Sequence, residues 1–299
     1  MSATAPDGQV LRGDSTVVHY LNLVKLPHTL FALPFALLGV VAASFRTSVP
    51  GRTLALVVLA FTAARWVAVA FNMIADVEFD RMNPRNRMRV LPQGRLTLRQ
   101  AGGSLIAAAG VFLISAAAIN PLCATLSLPA LAWVLAYSLS KRFTDWSHLW
   151  LGGSLAIAPV GGYLAVGGRW SEPWWALLAV ALAVATWVAG FDIFHALPDE
   201  AFDRAHRLRS AVVRLGVTGA LRLARTLHAL SVAGLLLFGR GAGFGGWYYV
   251  GVAIAAAILW QEHRVVRADD LSRLGSAFFT MNAVMSAAVL AFALLDRLV

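Results

Sequence analysis

Charge is scarce in this sequence: only 13% of its 299 residues are Asp, Glu, Lys or Arg, about half the share found in an ordinary soluble domain. Cysteine is scarcer still. The single Cys123 excludes an internal disulfide framework and any multi-cysteine metal site, and it leaves the redox compartment open. The first sixteen residues form a polar tail without the basic, apolar, small-residue order of a cleavable signal, so the first apolar segment is expected to stay as an anchor. What is abundant is apolar: 59% of the residues are hydrophobic and mean hydropathy is +0.70. Such a chain belongs in a bilayer, and the formal charge of +10 is read as a matter of topology and lipid contact rather than of nucleic-acid binding.

Segments close to the ~20 residues that cross a hydrocarbon core recur at 26–45, 54–75, 101–119, 122–138, 149–166, 173–191, 219–239, 243–260 and 275–295. The expectation is therefore an all-α polytopic membrane protein, a single domain over 1–299, with nine transmembrane helices around a central cavity. Most of the 25 Lys and Arg fall before the first span or in the loops after spans two, four, six and eight, with few on the other side. By the positive-inside rule this puts the N-terminus and those loops in the cytoplasm and the C-terminus outside, in a cytoplasmic (inner) membrane.

The acids are more telling. Of 15 Asp and Glu, two groups stand at the cytoplasmic ends of even-numbered spans, Asp76, Glu78, Asp80 and Asp192, Asp199, Asp203, each running into a strongly basic loop. Asn72, Asp76 and Asp80 are spaced i, i+4, i+8, which stacks them on one face of a continuous helix. Like charges stacked this way repel, and a cation offsets that repulsion. Asp192, Asp199 and Asp203 also return to one helical face, with Pro198 placed to break the helix and turn the last two toward the loop. Oxygen-only ligands point to Mg2+, which takes one or two carboxylates and completes its shell with water and substrate phosphates. Two such groups facing one cavity, capped by loops 76–100 and 192–218, suit a diphosphate held through bridging ions, with Arg85, Arg89, Arg207 and Arg209 as direct partners. The competing reading makes these residues solvated interfacial ion pairs that end each span.

At these residues the chain resembles the UbiA superfamily of intramembrane prenyltransferases, whose signatures N-x-x-x-D-x-x-x-D and D-x6-D-x3-D both occur here in order. The likeness extends to N-P-R-N-R-M-R-V-L-P-Q-G at 83–94, Y-S-L-S-K-R-F-T at 137–144 and F-F-T-M-N at 278–282, and so covers nearly the whole chain. H-T-L-F-A-L-P-F-A-L at 28–37 and G-F-D-I-F-H-A-L-P-D at 190–199 resemble the 4-hydroxybenzoate polyprenyltransferase branch most, and a related branch prenylates a dihydroxynaphthoate. Two positions depart from the pattern: His195 stands where the family has Tyr, and Asn86 where it has Thr.

The resemblance implies transfer of a prenyl group from a polyprenyl diphosphate to an aromatic acid in ubiquinone or menaquinone synthesis. It implies Mg2+ on Asp76, Asp80, Asp192 and Asp199 with Asp203 assisting, and Asn72, Arg85, Arg89 and Arg209 on the diphosphate. Arg65, seven residues before Asn72 and inside a span, is costly there and faces the bundle interior, either toward the diphosphate or into a structural pair. Lys141, Arg142 and Tyr137 are placed to meet an acceptor carboxylate or to anchor the interface. Lys25, His28 and Asn282 are weaker candidates. Membrane lipids are the other expected partners. A transporter, which would place charge at mid-membrane, and a UbiA-type enzyme with another acceptor such as haem remain as alternatives.

Overall fold

The computed structural model describes residues 11, 13–25, 32–266 and 276–299, with side chains from 280 in the last segment. His28 lies outside them. Among the described residues twelve α-helices follow one another: α1 Thr16–Leu23, α2 Leu33–Ser44, α3 Gly51–Ala75, α4 Val77–Met82, α5 Leu98–Ile119, α6 Pro121–Tyr137, α7 Ser147–Gly167, α8 Trp175–Ala196, α9 Glu200–Ala205, α10 Ala211–Ala242, α11 Gly246–Val265 and α12 Ser276–Leu298. Among the described residues there is no strand.

Local sequence explains the helix ends. Ser15, Thr97, Asn120 and Ser210 each accept a hydrogen bond from a first-turn amide, the usual device for satisfying one of the exposed donors at a helix start. Thr97 and Gln100 form a reciprocal capping box on α5. Gly168 and Gly243 sit in the left-handed region just past α7 and α10, where a side chain would be strained. Gly216 breaks the helical path inside α10 with φ 67° and ψ 170°, just before the expected span at 219–239.

A helix underlies each of the nine expected spans, and among the described residues six are long and apolar enough to cross a membrane. Those are α3, α5, α7, α8 with its continuation to Ala205, α10 and the 280–298 part of α12. Helix α2 and helix α6, of 12 and 17 residues, are apolar but short for a full crossing. Helix α11 is long enough, yet Trp247, Tyr248, Tyr249 and Trp260 and the polar end Gln261–Glu262–His263–Arg264 dilute its apolarity.

Helix α8 is the axis of the bundle. It packs against α7 on one side and α10 on the other, while α2 lies on α7, α5 lies on α3, and α11 and α12 close back toward α2. Its residues Leu177, Val180, Val184, Trp187, Ile193 and Phe194 are essentially inaccessible. Helix α5, by contrast, shows Ile106 and Ile114 at 72% and 70% exposure, the pattern of a lipid-facing helix, since hydrocarbon does not drive such side chains inward.

Small residues let the helices touch backbone to backbone. A Cβ on Gly162 would collide with the carbonyl of Ala36, and one on Gly39 with that of Pro159, so α2 and α7 cross at glycine on both sides; Gly152 meets Ala185 of α8 in the same way. Gly110 on α5 has open space around it. Gly162→Leu is therefore expected to force α2 off α7 and abolish the monodisperse peak in detergent size-exclusion chromatography. Gly110→Ala should leave that peak intact and raise stability by about 0.5–1 kcal/mol.

Candidate active site

A cavity of about 740 Å3 lies between α3, α5, α6, α7 and α8. Its polar lining gathers at one end. Lys25, Asn72, Arg89, Tyr137, Asp192 and His195 belong to the ends of their helices or to adjoining turns, Arg65 lines it from the interior of α3, and the rest of the wall is almost entirely apolar. Ser127 and Ser154, the polar exceptions further along, bond to carbonyls of their own helices.

Asp76 stands at the seam between α3 and α4. With φ −102° and ψ 7° it closes α3, so the i, i+4, i+8 stack expected on one continuous helix is interrupted there. Asn72 Nδ2 still donates to Asp76 Oδ2 at 3.1 Å. Arg142 Nη2 donates to the Ala75 carbonyl at 2.7 Å, placing a cation on the last turn of α3, where exposed carbonyls attract it. Asp80, carried by α4, is buried and takes Arg89 Nη1 on both oxygens at 3.0 and 2.9 Å.

The second group is arranged as Pro198 led us to expect. Helix α8 stops at Ala196, a 3-10 turn covers Leu197–Asp199, and α9 carries Asp203. Asp199 bridges to the first basic loop: Arg85 Nη1 donates to its Oδ2 at 3.2 Å and Asn83 Nδ2 to its Oδ1 at 3.3 Å. Arg85 also donates to the His195 carbonyl at 3.2 Å. The two motifs are thus joined directly through Asn83 and Arg85.

Asp192 has a partner that sequence reasoning missed. His148, at the start of α7 and 1% exposed, has its Nδ1 2.6 Å from Asp192 Oδ2, while its Nε2 is buried with no hydrogen-bond partner. The one signal for it was a histidine immediately before the apolar run expected at 149–166. The imidazole of His195 stands edge-on to Phe191 with centroids 4.4 Å apart.

Lys141 lies at the electrostatic centre. Burial alone would lower its ammonium pKa, but Asp203, Asp192, Asp76 and Asp199 together outweigh that and hold it above the ordinary lysine value. Burial also pushes the Asp76 carboxyl up to about 6, against the opposing pull of Lys141. Tyr137 has Asp192, Asp76, Arg65 and Arg89 as charged neighbours. Other expected residues are elsewhere. The Arg209 guanidinium donates to the Phe143 carbonyl at 2.9 Å and its amide to Lys141 O at 2.9 Å, so it braces the turn that carries Lys141. Arg207 occupies the left-handed region at φ 56°. Asn282 accepts from Trp187 Nε1 and donates to Glu262 Oε1, both at 2.8 Å, on the far side of α8 from the cavity.

Among the described residues no three His, Cys, Asp or Glu converge tightly enough to hold a metal alone. The oxygen donors are instead distributed as single carboxylates on two motifs. That distribution fits Mg2+, which binds through one or two carboxylates and finishes its shell with water and phosphate oxygens.

An apolar cavity with a carboxylate and cations gathered toward one end, inside a bundle of apolar helices, has the form of an intramembrane enzyme site. Residues 32–284 match the UbiA prenyltransferase family, and the chain belongs to that family; it is a prenyltransferase. It is 31% identical over 220 residues to 4-hydroxybenzoate octaprenyltransferase of Aromatoleum aromaticum, covering 74% of each chain. A UbiA homologue from Aeropyrum pernix, solved in the apo state, matches with a TM-score of 0.82 at 31% identity over 90% of this chain and 98% of that one. A UbiA homologue from Archaeoglobus fulgidus, bound to GPP and Mg2+, shares the fold at 22% identity and a TM-score of 0.66, with coverage of 94% and 100%.

Two outcomes follow from this geometry. His148→Ala removes the donor to a carboxylate in an apolar setting and is expected to cost about 1–3 kcal/mol in detergent thermal unfolding, with His148→Gln recovering most of it. For Asp76, a folded pKa of about 6 against an ordinary value of 3.8 means the folded state binds its proton more tightly than the unfolded chain. Its contribution to stability is present below about pH 4 and lost as pH rises through about 6. Asp76→Asn should therefore stabilise the metal-free protein above pH 6, by on the order of 1–3 kcal/mol, and flatten that part of its unfolding-versus-pH curve measured in EDTA.

Proposed function

We propose that this prenyltransferase is Mg2+-dependent and moves a polyprenyl group from its diphosphate to an aromatic phenolic acid, 4-hydroxybenzoate or a dihydroxynaphthoate, in quinone synthesis. The observation that carries the reading is the polarity gradient of the cavity: a polar head lined by Asn72, Arg89, Asp192 and His195, opening onto a long apolar wall. A polyprenyl diphosphate has the same gradient.

Asp76 and Asp192 would hold Mg2+, with Asp80, Asp199 and Asp203 behind them. Bound there, the ion would neutralise charge on the departing diphosphate. Asn72, Arg65 and Arg89 stand at the head to meet phosphate oxygens, while Arg85 and Arg209 support it from the loops. As the allylic C–O bond breaks, its electron pair leaves with the diphosphate. The apolar wall would keep water from the resulting cation. The ring carbon beside the acceptor's phenol forms the new C–C bond, and loss of the ring proton restores aromaticity. Lys141, Arg142 and Tyr137 lie on the side from which an acceptor carboxylate would enter the head. The charged end is assigned to the cytoplasmic side of the inner membrane, with nine crossings and a cap from the two basic loops. This places the N-terminus inside and the C-terminus outside.

The test is turnover of a radiolabelled prenyl diphosphate by purified protein in detergent, with 4-hydroxybenzoate and 1,4-dihydroxy-6-naphthoate in parallel. Product from one acceptor is expected. Asp76→Ala and Asp192→Ala should each lower kcat at least about 100-fold, as should chelation of Mg2+. Retained activity in either variant would remove the metal assignment, and product from neither acceptor would remove the acceptor class.

A further inference from the structure

The side of α8 turned away from the cavity carries a set of buried polar contacts that the proposed transfer does not use. Trp187, Gly190 and Phe194 are spaced i, i+3, i+7 and share one face, whereas Val188, Phe191, Asp192 and His195 line the cavity. Behind Trp187 a chain of hydrogen bonds runs through two further helices. Its Nε1 donates to Asn282 Oδ1 of α12 at 2.8 Å, and Asn282 Nδ2 donates to Glu262 Oε1 of α11 at 2.8 Å. Asn282 and Glu262 are each 1% exposed. One turn on, a Cβ at Gly190 would stand 2.5 Å from Cδ2 and Nε2 of His228 on α10, so the imidazole lies directly on the α8 backbone. His228 Nδ1 is 3.0 Å from His263 Nε2 of α11, and the Phe194 ring packs on both imidazoles with centroids 5.7 and 5.1 Å away.

Apolar packing holds a helix against its neighbours but tolerates small slides and rotations. A hydrogen bond weakens steeply with distance and angle, and breaking a buried one leaves both partners unsatisfied. The chain behind α8 also has a direction. An indole N–H only donates, so the Asn282 amide turns its oxygen to Trp187 and its NH2 to an acceptor on α11. Position 282 therefore needs a side chain that accepts at one end and donates at the other, while Glu262 needs only to accept. Trp187 precedes Asp192 by a rise of about 7.5 Å along α8, within one uninterrupted helix, so a shift or rotation at Trp187 is carried to the carboxylate.

We propose that Asn282 is a positioning residue for prenyl transfer: by holding Trp187 it fixes the rotation and height of the last turns of α8, and with them the place of Asp192 against Asn72 and Arg89 across the cavity head. The inference rests on the reading of Asp192 as a Mg2+ carboxylate and adds the residue that sets where that carboxylate stands. Asn282 does not line the cavity, so it acts only through geometry. A misplacement of about 1 Å at the reacting groups costs on the order of 100-fold in rate. Glu262 enters as a hydrogen-bond acceptor and not as a charge.

The experiment measures kcat, KM for the acceptor and the Mg2+ concentration for half-maximal rate in Asn282→Leu, Trp187→Phe and Glu262→Gln. Alongside, it records the rise in unfolding temperature that Mg2+ with inorganic pyrophosphate gives each protein in detergent. Asn282→Leu is expected to lower kcat about 10–100-fold and to raise the Mg2+ requirement about tenfold. It should shrink the pyrophosphate-induced rise and leave the acceptor KM within about twofold. Trp187→Phe keeps a ring and loses the donor, so it should move the same quantities in the same direction. The double variant should be no worse than Asn282→Leu alone, because both cut one linkage. Glu262→Gln keeps the acceptor and should retain wild-type values throughout. A variant that only weakens folding loses active protein without changing the Mg2+ requirement of what remains, and where Asn282→Leu does not elute as the wild type does, Trp187→Phe decides. A wild-type kcat and Mg2+ requirement in the deciding variant overturns the positioning role and leaves the Mg2+ reading standing. So does a double variant whose losses multiply, or a Glu262→Gln as impaired as Asn282→Leu. Wild-type protein whose turnover ignores Mg2+, and whose unfolding temperature Mg2+ with pyrophosphate does not raise, overturns the Mg2+ reading and the positioning role with it.

Discussion

Carboxylates brought together at the edge of an apolar bundle repel one another and lose hydration, and most of the local architecture at the charged end answers that cost. An uncompensated ion in a low-dielectric setting is worth several kcal/mol against folding. Here the compensation is assigned residue by residue. Arg89 takes Asp80, Arg85 and Asn83 take Asp199, His148 takes Asp192, and Asn72 takes Asp76. Lys141 acts on four of the acids at once. Its turn is itself fixed by Arg209, which bonds on both sides of it.

The compensation is also what aligns the helices. Asn83 and Arg85 come from the stretch after α4, and Asp199 from the turn after α8, so their bonds pin the ends of α3 and α8 together across the cavity head. Helix α8 is held from behind as well. Trp187 donates to Asn282, which donates to Glu262, linking α8 to α12 and α11 through polar contacts that are buried and therefore costly to break. A helix fixed on both faces presents Asp192 with little freedom, and precise presentation is what a site that orients a phosphate group demands.

Much of this was legible from residue order. The two Asp motifs, the basic loops after them and the break at Pro198 follow from spacing and from the chemistry of proline; the structure joins the second motif to the first basic loop through Asn83 and Arg85 and brings Asn72 and Asp192 to one cavity. Three features were not legible, each because tertiary contact overrides periodicity. The i, i+4, i+8 stack assumes an unbroken helix, whereas α3 ends at Asp76, where Arg142 takes the Ala75 carbonyl. Arg209 reads as one more loop cation, and only the fold reveals that its nearest acceptors are the carbonyls of residues 141 and 143. His148 is a lone histidine before an apolar run, and its pairing with Asp192 depends on α7 and α8 lying side by side. A helix underlies each of the nine apolar runs, and where one begins depends on capping residues such as Asn120 before α6, which periodicity does not single out.

The separation of charge from hydrocarbon within one cavity has a consequence for chemistry. Electrostatic attraction grows as the dielectric falls, so cations aimed at a departing diphosphate act more strongly beside a dry wall than in water. The same wall is almost entirely apolar, and in the proposed reaction it would keep water from the carbocation. A soluble enzyme must close a lid to obtain both conditions. In a cavity whose polar lining gathers toward one end, the fold supplies them before substrate arrives, and in the proposed reaction the reactive carbon would sit at the boundary between the two media because the donor's own polarity changes there.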